Sequence, residues 1–168
     1  TVTATRPAGM GDRVLIDTTS ELFPDEAMVV GSTSGGGILT CSETHELPYM
    51  ELRPFRVNAG ALHLYVWAPD RRTYYLSELR AGHEVLVVNY RGTARIVTIG
   101  RLKIERRPLL YVEARVESGA RDIVLNTFIQ DDWHVRLMGE GGHPGEVLTP
   151  HGKPFGVPFW TPKERLGD

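Results

Sequence analysis

Between Glu43 and His63 the chain gathers the side chains best suited to chemistry. It reads Glu43-Thr44-His45-Glu46-Leu47-Pro48-Tyr49, then Arg53-Pro54-Phe55-Arg56-Val57-Asn58-Ala59-Gly60-Ala61-Leu62-His63. In extended chain, residues two apart project to one side, so Glu43 and His45 would share a face. Guanidinium groups such as Arg53 and Arg56 bind carboxylate or phosphate through paired hydrogen bonds. Asn58 adds an amide, and His63 an imidazole that transfers protons near neutral pH. The set predicts a site for an anionic small molecule. Its plainer alternative is a solvated loop whose arginines pair with Glu43, Glu46 and Glu51. Glu43, His45 and His63 would also supply a two-histidine, one-carboxylate metal set, although their spacing follows no fixed ligand pattern.

Three further segments carry weaker signals. Ser32-Thr33-Ser34-Gly35-Gly36-Gly37 is small and flexible enough for backbone N–H groups to approach a phosphate, with Ser32 and Ser34 as substrate-binding candidates. It lacks the Lys-Ser/Thr ending of a P-loop and a following helix, which favours a hairpin turn. Lys103-Ile104-Glu105-Arg106-Arg107-Pro108 is locally basic. It reads either as a solvated strand end with Arg106 and Arg107 at a turn, or as an anion clamp facing the same site. Gln130-Asp131-Asp132-Trp133-His134 places two carboxylates beside an imidazole, either to orient a ligand or as a polar turn. Cys41, the only cysteine, excludes an internal disulfide and reads as a small buried hydrophobe.

The elements that must position these residues are strands. Val, Ile, Thr and Tyr cluster between Gly, Pro and Asp breaks, predicting strands near 13–17, 27–31, 37–42, 62–68, 84–89, 94–105, 109–117, 123–129 and 133–138. The N-terminal 1–5 segment reads the same way. No long helical periodicity occurs, and only 20–23 and 76–79 suggest single helical turns. Gly11-Asp12-Arg13-Val14-Leu15-Ile16 and Gly82-His83-Glu84-Val85-Leu86-Val87 share a pattern in which a glycine turn launches a buried strand. In 94–105 the apolar face switches around Gly100, as a β-bulge would cause. The segment 89–93 reads as a hairpin loop. The fold expected is all-β, as small barrels or a strongly coiled antiparallel sheet with bulges and little helix. Residues 1–138 would form the β-barrel-like domain, with two subdomains conceivable around 68–82, followed by a Gly- and Pro-rich segment at 139–168.

Composition narrows the class. The chain has 168 residues, 41% hydrophobic and 24% charged, with 18 Gly and 11 Pro for many turns. A formal charge of -2 gives no global reason to bind nucleic acid. No apolar run approaches the ~20 residues needed to span a bilayer, and a lone thiol suits a reducing compartment, so a cytoplasmic location with no membrane is expected. The chain begins at Thr1 inside a strand-like segment, which suggests a piece of a longer protein. Homo-oligomerisation is left open.

Six ordered segments then carry a resemblance. They are Gly9-Met10-Gly11-Asp12-Arg13-Val14, Val30-Gly31-Ser32, Ser42-Glu43, 53–61 with His63, Tyr75-Leu76-Ser77-Glu78-Leu79, and Lys103-Ile104-Glu105-Arg106-Arg107-Pro108-Leu109-Leu110. Together they resemble the C-terminal half of the 3-dehydroquinate synthase II family, well over 1–115 and weakly beyond. The resemblance implies an enzyme of aromatic biosynthesis that cyclises an amino-heptulosonate-type chain derived from aspartate semialdehyde, through lyase or oxidoreductase chemistry. The archaeal-type branch uses NAD to reach 3-dehydroquinate. A sibling branch makes 3-amino-4-hydroxybenzoate without net oxidation, and a divalent metal such as Mn is considered there. Leu15 and Thr19 replace cysteines typical of archaeal members, and 129–134 departs from their pattern, which favours the aminohydroxybenzoate branch.

On that reading Arg53 and Arg56 hold the substrate carboxylate or phosphate. His63 transfers a proton, with Glu43 as its partner or as a metal ligand beside His45. Asn58 bonds a hydroxyl or carbonyl. Lys103 binds the same anion, with a Schiff base as its lesser role. The N-terminal half of the same enzyme would be a partner, and this chain alone would be inactive. The alternatives are a non-catalytic β-barrel module binding RNA or a protein, and a cupin-like metal-binding β-domain.

Overall fold

The computed structural model describes residues 2–44, 51–89, 91–118, 121–132, 135–138, 144–146 and 159–160. Among them the chain is all-β. The strands are β1 (Val2–Thr18), β2 (Glu26–Thr33), β3 (Gly36–Glu43), β4 (Arg53–Ala61), β5 (Tyr65–Ala68), β6 (Arg72–Tyr75), β7 (Glu84–Asn89), β8 (Ala94–Ser118), β9 (Arg121–Gln130), β10 (Arg136–Met138), β11 (Pro144–Glu146) and β12 (Phe159–Trp160). A single 3-10 turn, Leu76–Glu78, follows β6, where a helical turn is expected. The chain expected to turn helically at 20–23 does not: Phe23 precedes Pro24, which disfavours helical backbone, and Leu22 N–H donates to the Pro54 carbonyl at 2.6 Å.

The strands form one antiparallel sheet with the path β11-β10-β3-β4-β1-β8-β7-β2-β5-β6, while β9 pairs with β8 and β12 with β3. The sheet curls back on itself, since β2 also pairs with β3. It is not a regular closed barrel, because the β2–β7 and β3–β4 links comprise only two residue pairs each. Inside the coil lies a core including Val14, Ile16, Met28, Val30, Val57, Val85, Val87, Val97 and Ile99. The uninterrupted runs Ala27–Val30 and Val85–Val88 are buried on both faces, as strands inside a covered sheet require.

Two expectations need correction. Separate strands at 1–5 and 13–17, and again at 94–105 and 109–117, are in fact two long strands, β1 and β8, paired along most of their length. Arg106 and Arg107 therefore lie within a strand, not at a turn. Pro108, which lacks a ladder donor, is tolerated because the register shifts between Pro7 and Met10 opposite it. The stretch 53–61, weighed as a solvated loop, is strand β4 between β1 and β3, with Val57 to Ala61 buried.

The Gly100 bulge is present: Asp17 faces Arg101 while Thr18 faces Ile99, so Gly100 is the extra residue. Gly82 has φ +92° and turns the chain into β7, whereas Gly11 lies inside β1. At 89–93 the Asn89 carboxamide oxygen accepts the N–H groups of Arg91 and Thr93, closing the expected hairpin. No helix among the described residues is long and apolar enough to cross a membrane.

Candidate functional site

The register of three strands assembles a charged layer. On β1, Arg13, Leu15 and Asp17 alternate to one side, away from core residues Val14 and Ile16. Across β8 they face Glu105, Lys103 and Arg101. Across β4, Leu15 faces Asn58 and Asp17 faces Arg56. Residues far apart in sequence thus meet because strand side chains repeat every two positions.

Asp17 is the first centre of this layer. Its two oxygens accept Arg56 Nε at 2.7 Å and Nη2 at 3.1 Å, and one of them also accepts Arg101 Nε at 2.7 Å. Burial pushes the Asp17 carboxyl up, but the paired guanidiniums outweigh it and hold the group below its ordinary value. The same bond raises Arg56. Glu105 is the second centre, accepting Arg13 Nη2 at 2.8 Å and Arg107 Nη2 at 2.9 Å.

Gln130, at the end of β9, ties the layer together. Its Oε1 accepts Arg13 Nη1 at 2.7 Å and Asn58 Nδ2 at 2.9 Å. Arg13 is 5% exposed and Asn58 3% exposed, yet Arg13 Nε and Asn58 Oδ1 have no hydrogen-bond partner. Glu43 Oε2 is also buried without one, 3.6 Å from Arg53 Nη1. Among the described residues the layer holds six cations, Arg13, Arg53, Arg56, Arg101, Lys103 and Arg107, against the carboxylates Asp17, Glu43 and Glu105. An anion is the ligand such an excess favours.

A cavity of about 400 Å³ opens beside this layer, lined by Ala8, Gly11, Asp12, Ala61, Leu62, His63, Ser77, Leu109 and Phe128. It adjoins the layer along the chain: Asp12 precedes Arg13, Ala61 is the cross-strand partner of Arg13, and Phe128 stands two residues before Gln130. Gly60 allows the approach that forms it. Its φ is +98°, and a Cβ there would meet the Phe128 carbonyl oxygen at 2.1 Å. His63 sits exposed at the cavity with its ring edge-on to Phe128, centroids 5.0 Å apart. Burial against this wall lowers the imidazole pKa from its ordinary value, which keeps it neutral and able to accept a proton at pH 7.

The expected site is therefore divided. Glu43, Arg53, Arg56, Asn58 and Lys103 belong to the charged layer, while His63 belongs to the cavity. Glu43 and His63 lie on different elements: Ser42 pairs with Val57, and four residues of β4, on the order of 13 Å of extended chain, and then a turn separate that pair from His63. Ser32 bonds the Asn126 side chain. Ser34 and Gly35 form the two-residue turn between paired Thr33 and Gly36, so the small-residue segment is a hairpin. Cys41 is buried, which pushes its thiol up to about 12 and leaves it a packing residue.

Metal and cofactor fit follow from these donors. The unpartnered Glu43 oxygen is a carboxylate donor of the kind that binds cations, but Arg53 is near and the charges of Arg13 and Arg56 also act on Glu43. His45 lies outside the described residues, and among those described no three His, Cys, Asp or Glu gather to hold a metal. The described residues also lack a glycine loop opening a helix, the usual dinucleotide cradle. They do not by themselves fit either group.

Sequence reasoning assigns no role to Arg13, Asp17, Arg101, Asp12, Ser77 or Phe128, and it reaches Glu105 and Gln130 only as members of the 103–108 and 130–134 segments. The signal for Arg13, Asp17, Arg101 and Glu105 is the alternation Arg13-x-Leu15-x-Asp17 against Arg101-x-Lys103-x-Glu105-x-Arg107, polar and charged positions recurring every second residue on two neighbouring strands; Gln130 has no such signal.

The architecture defines an all-β domain in which a cavity of about 400 Å³ adjoins a cationic layer. Residues 1–151 match the model of the 3-dehydroquinate synthase II C-terminal domain, and the chain belongs to that family. It is 52% identical over 141 residues to a 3-amino-4-hydroxybenzoic acid synthase of Streptomyces griseus, covering 84% of this chain and 35% of the relative. It is 49% identical over 148 residues to a 3-dehydroquinate synthase of Methanococcus maripaludis, covering 88% and 40%. With a 3-dehydroquinate synthase homolog of Aquifex aeolicus the identity is 46% over 146 residues, covering 87% and 43%. The chain thus spans about two-fifths of the length of these curated relatives. No solved structure gives a significant match.

Proposed function

We propose that this domain forms one wall of an active site that cyclises an amino-heptulosonate-type chain toward an aromatic or cyclohexane ring. The observation that carries the reading is convergence. Four of the six segments behind the family resemblance supply cavity residues: Gly11 and Asp12, Ala61 and His63, Ser77, and Leu109. A fifth, Ser42-Glu43, joins the adjoining cationic layer. An open-chain substrate with a carboxylate or phosphate at one end would set that anion against the layer and its reacting carbons in the cavity.

The roles within the layer follow from what each group is already bonded to. Arg56 is committed through two of its nitrogens to Asp17 and acts chiefly by position and field. Arg53, Arg101 and Lys103 are more open to solvent and take the anion directly. Asn58 presents an unused buried acceptor for a substrate hydroxyl, and His63 is the proton acceptor at the reacting carbons. Whether NAD or a divalent cation such as Mn²⁺ takes part is answered by assay. The rest of the enzyme and a second copy of the chain are the partners to test.

The experiment is to incubate the domain, joined to the rest of the enzyme, with the amino-heptulosonate chain and with its phosphorylated counterpart, each with and without NAD and Mn²⁺. Cyclic or aromatic product in one mixture supports the reading, and its dependence on the additives assigns the branch. No product in any mixture, with the fold verified by circular dichroism, overturns it. His63→Ala at unchanged turnover would remove the histidine from the chemistry while leaving the wall.

A further inference from the structure

Gln130 links β9 to β1 and β4 inside the charged layer, and it carries no charge itself. It is 6% exposed, and its Oε1 accepts Arg13 Nη1 at 2.7 Å and Asn58 Nδ2 at 2.9 Å. The orientation of both amides follows from Arg13. A guanidinium has donors only, so the Gln130 atom facing it is the oxygen. The Asn58 atom meeting that same oxygen is then the nitrogen, and Asn58 Oδ1 is left without a partner. From Arg13 the bonds continue outward: its Nη2 donates to Glu105, which also accepts Arg107. A buried amide thus fixes the guanidinium on which the half-buried side of the layer is built.

A carboxylate would be the stronger partner at this position. Hydrogen bonds to an ionised acceptor are roughly twice as strong as those to a neutral one. Burial also disfavours the charge on Arg13 and lowers its pKa, which a nearby anion would relieve. That gain would come with a negative charge at the floor of a layer whose cations outnumber its carboxylates among the described residues. The field that draws an anion depends on charge left uncancelled, and an amide oxygen supplies the geometry without cancelling any.

We propose that Gln130 is a positioning residue that fixes Arg13 and Asn58 while leaving the positive charge of the layer uncancelled for an anionic ligand. The inference rests on the layer being the anion seat of the proposed function. It separates two properties that a single side chain normally couples, the pose of a cation and the neutralisation of its charge. Asp131 and Asp132, the next residues along the chain, are the same in every variant below and drop out of the comparison.

The test uses the domain joined to the rest of the enzyme, with inorganic phosphate as the probe anion. It follows the phosphate binding that Lys103→Ala weakens, since Lys103 is an open cation of the layer. Gln130→Glu keeps the acceptor and adds a charge. Its urea midpoint should match or exceed that of the wild type, because both donors stay bonded. It should nevertheless bind phosphate about tenfold more weakly at low salt, the scale of one unit charge acting across the layer. The gap should narrow as salt rises. Gln130→Met keeps the wild-type charge and loses the acceptor, so two buried donors are unpartnered and the urea midpoint should fall. Its phosphate affinity should drop less than in Gln130→Glu. Equal affinity in the wild type and Gln130→Glu, or a gap indifferent to salt, overturns the inference and leaves the layer as the anion seat. An unfolded Gln130→Glu also overturns it, as does equal weakening in Gln130→Met, which would assign the whole effect to geometry. Phosphate binding that is absent from the wild type, or unmoved by Lys103→Ala, overturns the anion seat and this inference together.

Discussion

The charged layer and the cavity lie side by side but are built on opposite terms. In the layer two of the three carboxylates are each shared by two arginines: Asp17 holds Arg56 and Arg101, and Glu105 holds Arg13 and Arg107, while one Glu43 oxygen is left without a hydrogen bond. At the cavity the rim is joined through backbone, and among the described residues no side-chain hydrogen bond links Asp12, His63 and Ser77. The layer spends most of its charged groups on its own geometry and keeps three polar atoms, Arg13 Nε, Asn58 Oδ1 and Glu43 Oε2, unpartnered, whereas the cavity's polar side chains are not bonded to one another. Abundance of charge is therefore a poor guide to which residues act, since Arg56, foremost in the sequence, is largely committed to Asp17.

The largest effect that would test this contrast comes from the centre of the layer. Asp17 is 3% exposed, and replacing it by Asn leaves Arg56 without its counter-charge. Breaking a buried pair in this way costs about 3–5 kcal/mol, read as a lower midpoint in urea unfolding. The double change Asp17→Leu with Arg56→Met should recover part of the loss, because no buried charge is then left unpaired. A loss under 1 kcal/mol for Asp17→Asn would mean the layer is solvated and not the rigid element described here.

The pH dependence has a definite sign. Asp17 is held below its ordinary value of 3.8, so the folded state favours the charged form. The stability it contributes is fully present above that ordinary value and is lost as pH falls through the lower folded value. Acid unfolding of the wild-type protein should steepen in that window, and the slope should flatten in Asp17→Asn.

An intermediate effect separates the two regions at their junction. Gly60→Ala would place a Cβ 2.1 Å from the Phe128 carbonyl oxygen at φ +98°. Both the backbone strain and the clash oppose it, and a destabilisation of about 3 kcal/mol is expected. Because β9 carries both Phe128 and Gln130, the shift should disturb the cavity and the layer together. Retained stability with an unaltered His63 environment would show that the two regions are not tied through β9.

Much of this was legible in the sequence, and what was not has a common physical cause. Strand content, the bulge at Gly100 and the Asn89 hairpin are local effects of side-chain type and backbone preference, and they were readable. The union of β1 and β8 into long strands was not, because Gly9 to Gly11 and Pro108 read locally as breaks and are rescued only by each other's register shift. The site followed the same rule. Arg53, Arg56 and Asn58 stood out because they are neighbours in sequence. Gln130 and Arg13 did not, since the 2.7 Å bond between them spans 117 positions. Glu43 and His63 are the converse case: grouped by nearness in sequence, they stand at the end of β3 and in the turn after β4.

The smallest predicted effect concerns His63, where the cavity's looser construction should show directly. Its imidazole pKa is lowered from 6.5 by burial, and among the described residues Phe128 is the ring packed against it. A group whose folded pKa is depressed in this direction penalises protonation in the fold. Its contribution is present above 6.5 and is lost as pH falls toward the folded value. Because the residue is exposed, the effect on overall stability should be slight, and titration of the imidazole resonances is the sensitive readout. Phe128→Leu removes the ring edge and part of the desolvation, so the titration midpoint should rise toward the ordinary value. Glu43→Gln should leave it unmoved, since Glu43 belongs to the other region. A midpoint that follows Glu43 and ignores Phe128 would reverse the division drawn here and restore the carboxylate as the partner of the histidine.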